Sequence, residues 1–184
     1  MNALLETAAE IQSFLQRAGE RFCFIGGVAL QRWGEPRLTR DVDLTLLCPY
    51  GAEAQTAERL LAGFSPRIPD AHAFALQHRV LLLRGTSGVP IDVALGGIPF
   101  EERCVGRASE FDFGDVRLLT CSAEDLVVLK AFAGRDRDWA DVESVVIRQS
   151  HRMDWSLVFA ELEPLAAVRG GAEITSRLRR LRGN

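Results

Sequence analysis

Two carboxylates one residue apart in an apolar run, following a glycine pair that closes another apolar run, constrain this chain more than any other feature. Phe22-Cys23-Phe24-Ile25 ends at Gly26-Gly27, and thirteen residues later comes Asp41-Val42-Asp43-Leu44. A short apolar run stopped by Gly-Gly reads as a buried strand meeting a tight turn. In a strand, residues i and i+2 share a face, so Asp41 and Asp43 project side by side while Val42 and Leu44 turn to the core. Two like charges that close repel, and a hard divalent cation relieves them economically. Mg2+ takes oxygen ligands and is usually held by one or two carboxylates plus substrate phosphates. A third acid, Asp92, stands alone in the apolar segment Val89-Pro90-Ile91-Asp92-Val93, placed to act as a ligand or as base for an attacking hydroxyl. The glycines let backbone approach a phosphate closely, and the helix that follows offers free N–H groups there. Alone, an Asp-x-Asp is more often a solvated strand face and a Gly-Gly a plain turn; together they describe one site.

The rest of the chain supplies a frame for that site. Leu4, Ala8, Ile11 and Leu15 mark one face of a helix that stops near Gly19. Val28–Trp33 reads as a helix, Asp41–Leu47 as a strand and Glu53–Gly63 as a helix, with a loop through residues 65–70. Arg79–Leu83 and Pro90–Leu95 flank the polar turn Gly85-Thr86-Ser87-Gly88 as an antiparallel hairpin. Val116–Leu119 is a further strand. Ser122, with Asp125 three residues on, caps a helix over Ala123–Ala133. Beyond it three apolar stripes read as helices: Trp139, Val142 and Val146; Trp155, Val158, Phe159 and Leu162; Ile174, Leu178 and Leu181. Strands therefore occupy the first two-thirds and helices alone the last third, with a boundary near Thr120.

At 184 residues the chain is long enough for its own core without disulfide or metal staples. The net charge of −3 argues against nucleic-acid binding by bulk positive field, though a small basic groove stays compatible with it. Cys23, Cys48, Cys104 and Cys121 share no CxxC spacing and Met1–Ala9 is no signal peptide. A reducing cytoplasm with free, buried thiols is the expected setting. No apolar run approaches the roughly 20 residues of a membrane span. The arginine run Arg177, Arg179, Arg180 and Arg182 reads as a solvated helix end, and His72, His78 and His151 as surface residues.

Phe24-Ile25-Gly26-Gly27-Val28-Ala29-Leu30 followed by Leu38-Thr39-Arg40-Asp41-Val42-Asp43-Leu44 resembles the signature of the DNA polymerase beta-like nucleotidyltransferase superfamily. Downstream, Glu124–Ala131 with Gly134-Arg135-Asp136-Arg137-Asp138-Trp139-Ala140-Asp141-Val142 resembles the branch containing abortive-infection-type nucleotidyltransferase toxins and their small bacterial relatives. The resemblance implies an α+β (α/β-like) fold. A small mixed β-sheet core flanked by helices would span residues 1–120, with a C-terminal helical subdomain, 121–184, packed on it. It implies Mg2+-dependent transfer of a nucleoside monophosphate from an NTP, ATP among the candidates, to an acceptor hydroxyl on RNA (tRNA included), protein or a small molecule. It also implies toxin function beside an antitoxin protein. Asp41, Asp43 and Asp92 would hold Mg2+, two ions during catalysis, with Asp92 activating the acceptor. Gly26 and Gly27 would cradle the triphosphate, flanked by Thr39 and Arg40. Lys130, Arg135 and Asp138 would complete the site from the helical part.

Lys130 is the only lysine in a chain otherwise using arginine, which points to a need for a compact ammonium, although a lysine beside Leu129 is usually solvated. Asp138 and Asp141 also read as helix-surface acids paired with Arg135 or Arg137. A catalytically silent nucleotide-binding antitoxin or regulatory module of the same fold is the alternative. The presence of all three acids favours the enzyme.

Overall fold

The periodicities of the sequence recur as elements in a computed structural model, which describes residues 2–168 and 171–183. Two compact units divide the chain: Met1–Val28 with Leu38–Cys121, and Ala29–Arg37 with Ser122–Asn184.

In the first unit, helix α1 (Ala3–Arg17) starts at Asn2, whose Oδ1 accepts from the Leu4 amide at 2.7 Å, and it buries Leu4, Ala8, Ile11 and Leu15. Strand β1 (Phe22–Phe24) leads directly into helix α2 (Gly26–Trp33), whose later residues belong to the second unit. Then follow β2 (Val42–Leu47), α3 (Glu53–Leu61), β3 (Ser65–Pro66), α4 (Ala71–His78), β4 (Val80–Arg84), β5 (Pro90–Gly96), α5 (Pro99–Arg107), β6 (Ser109–Asp112) and β7 (Arg117–Thr120). The strands form one mixed sheet in the order β3-β4-β5-β2-β1-β7-β6. Within it β2 runs parallel to β5 and β1 parallel to β7, while β1 and β2 are antiparallel. The expected hairpin is β4–β5, paired antiparallel from Val80↔Ala94 to Arg84↔Pro90.

Alternation along the central strands separates two faces. Phe22, Phe24, Val42, Leu44, Leu46, Leu81, Leu83, Ile91, Val93 and Leu95 enter one core with the apolar stripe of α1. On the other face α5 lies over β1 and β2, with Cys104 Sγ 3.9 Å from Cys23 Sγ. All four cysteines are reduced and buried. Gln12 ties α1 to β7: its Nε2 donates to the Arg117 carbonyl at 2.7 Å and its Oε1 accepts from the Leu119 amide at 2.9 Å.

Four elements run against the sequence expectation. Residues 65–70 contain the short strand β3 rather than loop alone, and α4, α5 and β6 are additional. Helix α4 buries only Ala71 and Ala75, too small a stripe to read as periodicity. Helix α5 did carry a signal, Pro99 in its first turn with Glu101 following; the Glu101 carboxylate accepts from the amides of Gly97 and Ile98 at 2.7 and 3.0 Å. Strand β6 is exposed throughout, so no apolar pattern announces it.

The second unit is helical: α6 (Ala123–Ala133), α7 (Asp136–Gln149), α8 (Trp155–Val168) and α9 (Ala172–Arg182), with the end of α2. Ser122 caps α6 as expected, its Oγ accepting from the Asp125 amide at 3.1 Å, and Gly134 closes it at φ +70. Trp139 and Val142 are buried on α7, joined by Val145 rather than Val146. Gly34 explains that choice, because a Cβ there would meet Ser144 Oγ at 2.6 Å and Val145 Cγ2 at 3.0 Å. The arginines of α9 lie against aromatic rings, Arg177 over Trp139 at 4.4 Å and Arg179 over Phe159 at 5.1 Å. Among the described residues no helix is long and apolar enough to cross a membrane.

Candidate active site

The glycine pair has a steric purpose inside the protein itself. A Cβ on Gly26 would lie 2.1 Å from Asp43 Oδ2 and 2.8 Å from Asp43 Cβ, and one on Gly27 would lie 2.3 Å from Thr39 Oγ1. Gly26 also adopts φ +54, a conformation that L side chains rarely take. The Ile25 amide donates to the Asp43 carbonyl at 3.0 Å, so the end of β1 and the start of β2 are latched at this point. What the missing side chains admit is therefore the Asp43 carboxylate and the Thr39 hydroxyl, drawn against the first turn of α2. Thr39 in turn donates to Asp41 Oδ1 at 3.0 Å. Asp41 stands one residue ahead of the β2 ladder rather than inside it, and this hydrogen bond holds it there. Arg40, between them, is exposed.

Asp92 reaches the same face through sheet register. The parallel β2–β5 pairing sets Asp43 directly beside Asp92. The row continues to Leu82 on β4, paired with Asp92, and to Arg67, whose amide donates to the Leu82 carbonyl at 2.9 Å. From there one guanidinium nitrogen of Arg67 comes within 2.7 Å of Asp92 Oδ1. Its N–H groups do not align with that oxygen, which is buried and accepts no hydrogen bond. The three aspartates do not form a closed cage: among the described residues no group of three or more His, Cys, Asp or Glu converges as a metal cluster.

Lys130, Asp138, Asp141 and Arg135 come together in the second unit. Lys130 is 8% exposed rather than solvated, and its Nζ lies 2.7 Å from Asp141 Oδ2 and 3.4 Å from Asp138 Oδ1. Arg135 contacts Asp138 Oδ2 through Nε at 2.6 Å, and Arg37 grips both Asp141 oxygens at 2.8 Å. Asp138 and Asp141 are thus buried rather than surface acids, because α6 turns its lysine inward onto them. Burial opposes ionisation of both. The hydrogen bond from Arg135 and the charge of Lys130 outweigh it at Asp138, and the hydrogen bonds from Arg37 and Lys130 outweigh it at Asp141. Both carboxyls are held below their ordinary value.

Residues 13–146 match the family described as "Nucleotidyl transferase AbiEii toxin, Type IV TA system". The chain belongs to the AbiEii nucleotidyltransferase family. The match spans every site residue named above. No curated protein sequence matches this AbiEii member. Among solved structures it is similar to an antigenic nucleotidyltransferase-like protein from Paracoccidioides brasiliensis (16% identity, 95% of this chain and 91% of that one, TM-score 0.54). It is also similar to the lincosamide antibiotic adenylyltransferase LnuA bound to lincomycin (12%, 79% and 98%, 0.52) and to the antibiotic-resistance factor ANT(2'')-Ia (17%, 97% and 94%, 0.52). At these identities the likeness is one of fold, and it is the α+β nucleotidyltransferase fold expected from the sequence.

Two residues of the AbiEii member escaped sequence reading. Arg37 and Arg67 sit in the proline-bearing segments Glu35-Pro36-Arg37 and Pro66-Arg67-Ile68-Pro69, with no periodicity and no motif around them. Only pairing across the fold gives them roles.

Proposed function

We propose that the chain transfers a nucleoside monophosphate from an NTP to an acceptor hydroxyl, with Mg2+ as cofactor. The observation that carries this is the lateral pairing of Asp43 with Asp92 beside a turn whose first glycine leaves room only for the Asp43 carboxylate. The donor set suits a hard cation: every candidate ligand is a carboxylate oxygen, and Asp92 Oδ1 is a buried acceptor without a hydrogen bond. Asp41, Asp43 and Asp92 would hold Mg2+, two ions during catalysis, and the open arrangement leaves places for triphosphate oxygens. Bound there, Mg2+ supplies neutralisation of the triphosphate charge.

The chain's own groups then have separate tasks. Amides at the start of α2 face the phosphates, Thr39 keeps Asp41 oriented, and exposed Arg40 offers a further phosphate contact. Asp92 accepts the proton of the acceptor hydroxyl as its oxygen bonds to the α-phosphorus and pyrophosphate departs. Lys130, Arg135 and Asp138 enter through the resemblance alone; within the second unit Asp138 pairs with both cations and Asp141 with Lys130. Membership of a toxin family supports a toxin role beside a protein antitoxin.

Calorimetry with Mg·NTP tests the site. The Asp41→Ala/Asp43→Ala variant is expected to lose metal-dependent NTP binding while staying folded. Wild-type affinity in that variant places the site elsewhere. Incubation of labelled NTPs with total RNA, total protein and small-molecule extracts identifies the acceptor class and the base.

A further inference from the structure

The Arg67–Asp92 contact differs in kind from the Arg37–Asp141 ion pair. Arg37 engages Asp141 through two aligned hydrogen bonds of 2.8 Å, a geometry that holds a carboxylate firmly. Arg67 approaches Asp92 at 2.7 Å without an aligned N–H, so charge alone joins them. Both side chains are partly open to solvent, 25% for Arg67 and 31% for Asp92, so the contact can exchange. The placement of Arg67 is nevertheless built in: its amide bonds to the Leu82 carbonyl, and Leu82 pairs with Asp92. The guanidinium therefore extends along the sheet face from the far side of β4, opposite the flank on which Asp43 stands.

We propose that Arg67 is a positioning residue that stands in for the divalent cation at Asp92, holding this carboxylate in the metal-free protein and competing with the metal for it. The inference rests on the proposed metal role of Asp92. A guanidinium here has two consequences. It keeps Asp92 beside Asp43 despite their mutual repulsion, and it weakens metal binding when no nucleotide is present. The triphosphate, which brings its own oxygen ligands and attracts the guanidinium, tips the exchange.

Mn2+ titration without nucleotide, read by electron paramagnetic resonance of the free ion, tests this directly. Arg67→Gln is expected to bind Mn2+ roughly two- to fivefold more tightly than wild type, the scale of one partly exposed ion pair. Arg67→Lys, which keeps the charge, is expected to stay near wild type. In an Asp92→Asn background the Arg67→Gln effect is expected to vanish. Equal or weaker Mn2+ binding by Arg67→Gln overturns the proposal, as does tightening that persists in the Asp92→Asn background. A merely structural role does not predict tightening, and rescue by lysine excludes loss of fold as the cause. If the wild type itself binds no Mn2+, with or without NTP, the metal assignment fails, and the competition with it.

Discussion

Gly26→Ala puts the construction of the site to its most specific test. Two costs are separable in the structure. The first is backbone: φ is +54, and holding an L-residue in the left-handed region costs about 1–2 kcal/mol. The second is steric. The new methyl would lie 2.1 Å from Asp43 Oδ2, 2.7 Å from Cγ and 2.8 Å from Cβ. Rotation of the carboxylate relieves the first contact but not the last, because Cβ is fixed by the β2 backbone. The turn and the strand must part against the Ile25–Asp43 hydrogen bond, an overpacking penalty of about 1–3 kcal/mol. Gly19→Ala is the control: φ is +70 and nothing lies within 4 Å of the added carbon, so it carries the backbone cost alone. At about 2–4 °C per kcal/mol for a chain of this size, Gly19→Ala is expected to lower Tm by about 2–8 °C. Gly26→Ala should fall further, and it alone should weaken Mg·NTP binding, since only it displaces Asp43. Thermal melts and calorimetry on the two variants decide the matter. Equal melting temperatures and undiminished binding in Gly26→Ala would refute the claim that this glycine exists to seat the carboxylate.

Asp92→Asn should separate binding from chemistry: NTP affinity falls modestly while transfer slows by roughly two or more orders of magnitude, the scale of losing a general base. A near-wild-type rate in a labelled-NTP assay removes Asp92 from the mechanism. Lys130→Ala leaves Asp138 and Asp141 buried with one cation fewer and should cost about 3 kcal/mol in urea unfolding, at the low end because Arg37 and Arg135 remain. A change below about 0.5 kcal/mol would mean that the lysine is solvated. Both carboxyls are held below their unfolded values, so the stability they contribute is complete above about pH 4 and is lost as pH falls through their folded values. Acid unfolding below about pH 4 should therefore be less steep in Lys130→Ala, and pH titrations of the two proteins monitored by circular dichroism check it.

Local pattern was enough for much of this protein. The stripe of α1, the strand ending at Gly26-Gly27, the β4–β5 hairpin and the Ser122-capped helix all follow from near-neighbour rules, because period, caps and turn residues act over a few positions. The same rules bring Asp43 out of the core and mark Asp92 as an anomaly in an apolar strand. Local pattern could not say that Asp43 and Asp92 stand side by side, since that depends on β2 pairing parallel to β5 and on their register. It could not say that the Asp43 carboxylate and the Thr39 hydroxyl pack beside the glycines, because a missing Cβ reveals a close approach without naming the atom that fills it. Arg67, Arg37 and the burial of Lys130 were invisible for the same reason. An arginine in a proline-bearing loop and a lysine after a leucine have no intrinsic destination, and their partners lie 25, 104 and 11 residues away in sequence. Composition and periodicity decide which side chains leave water, but only the folded chain decides which charges meet there.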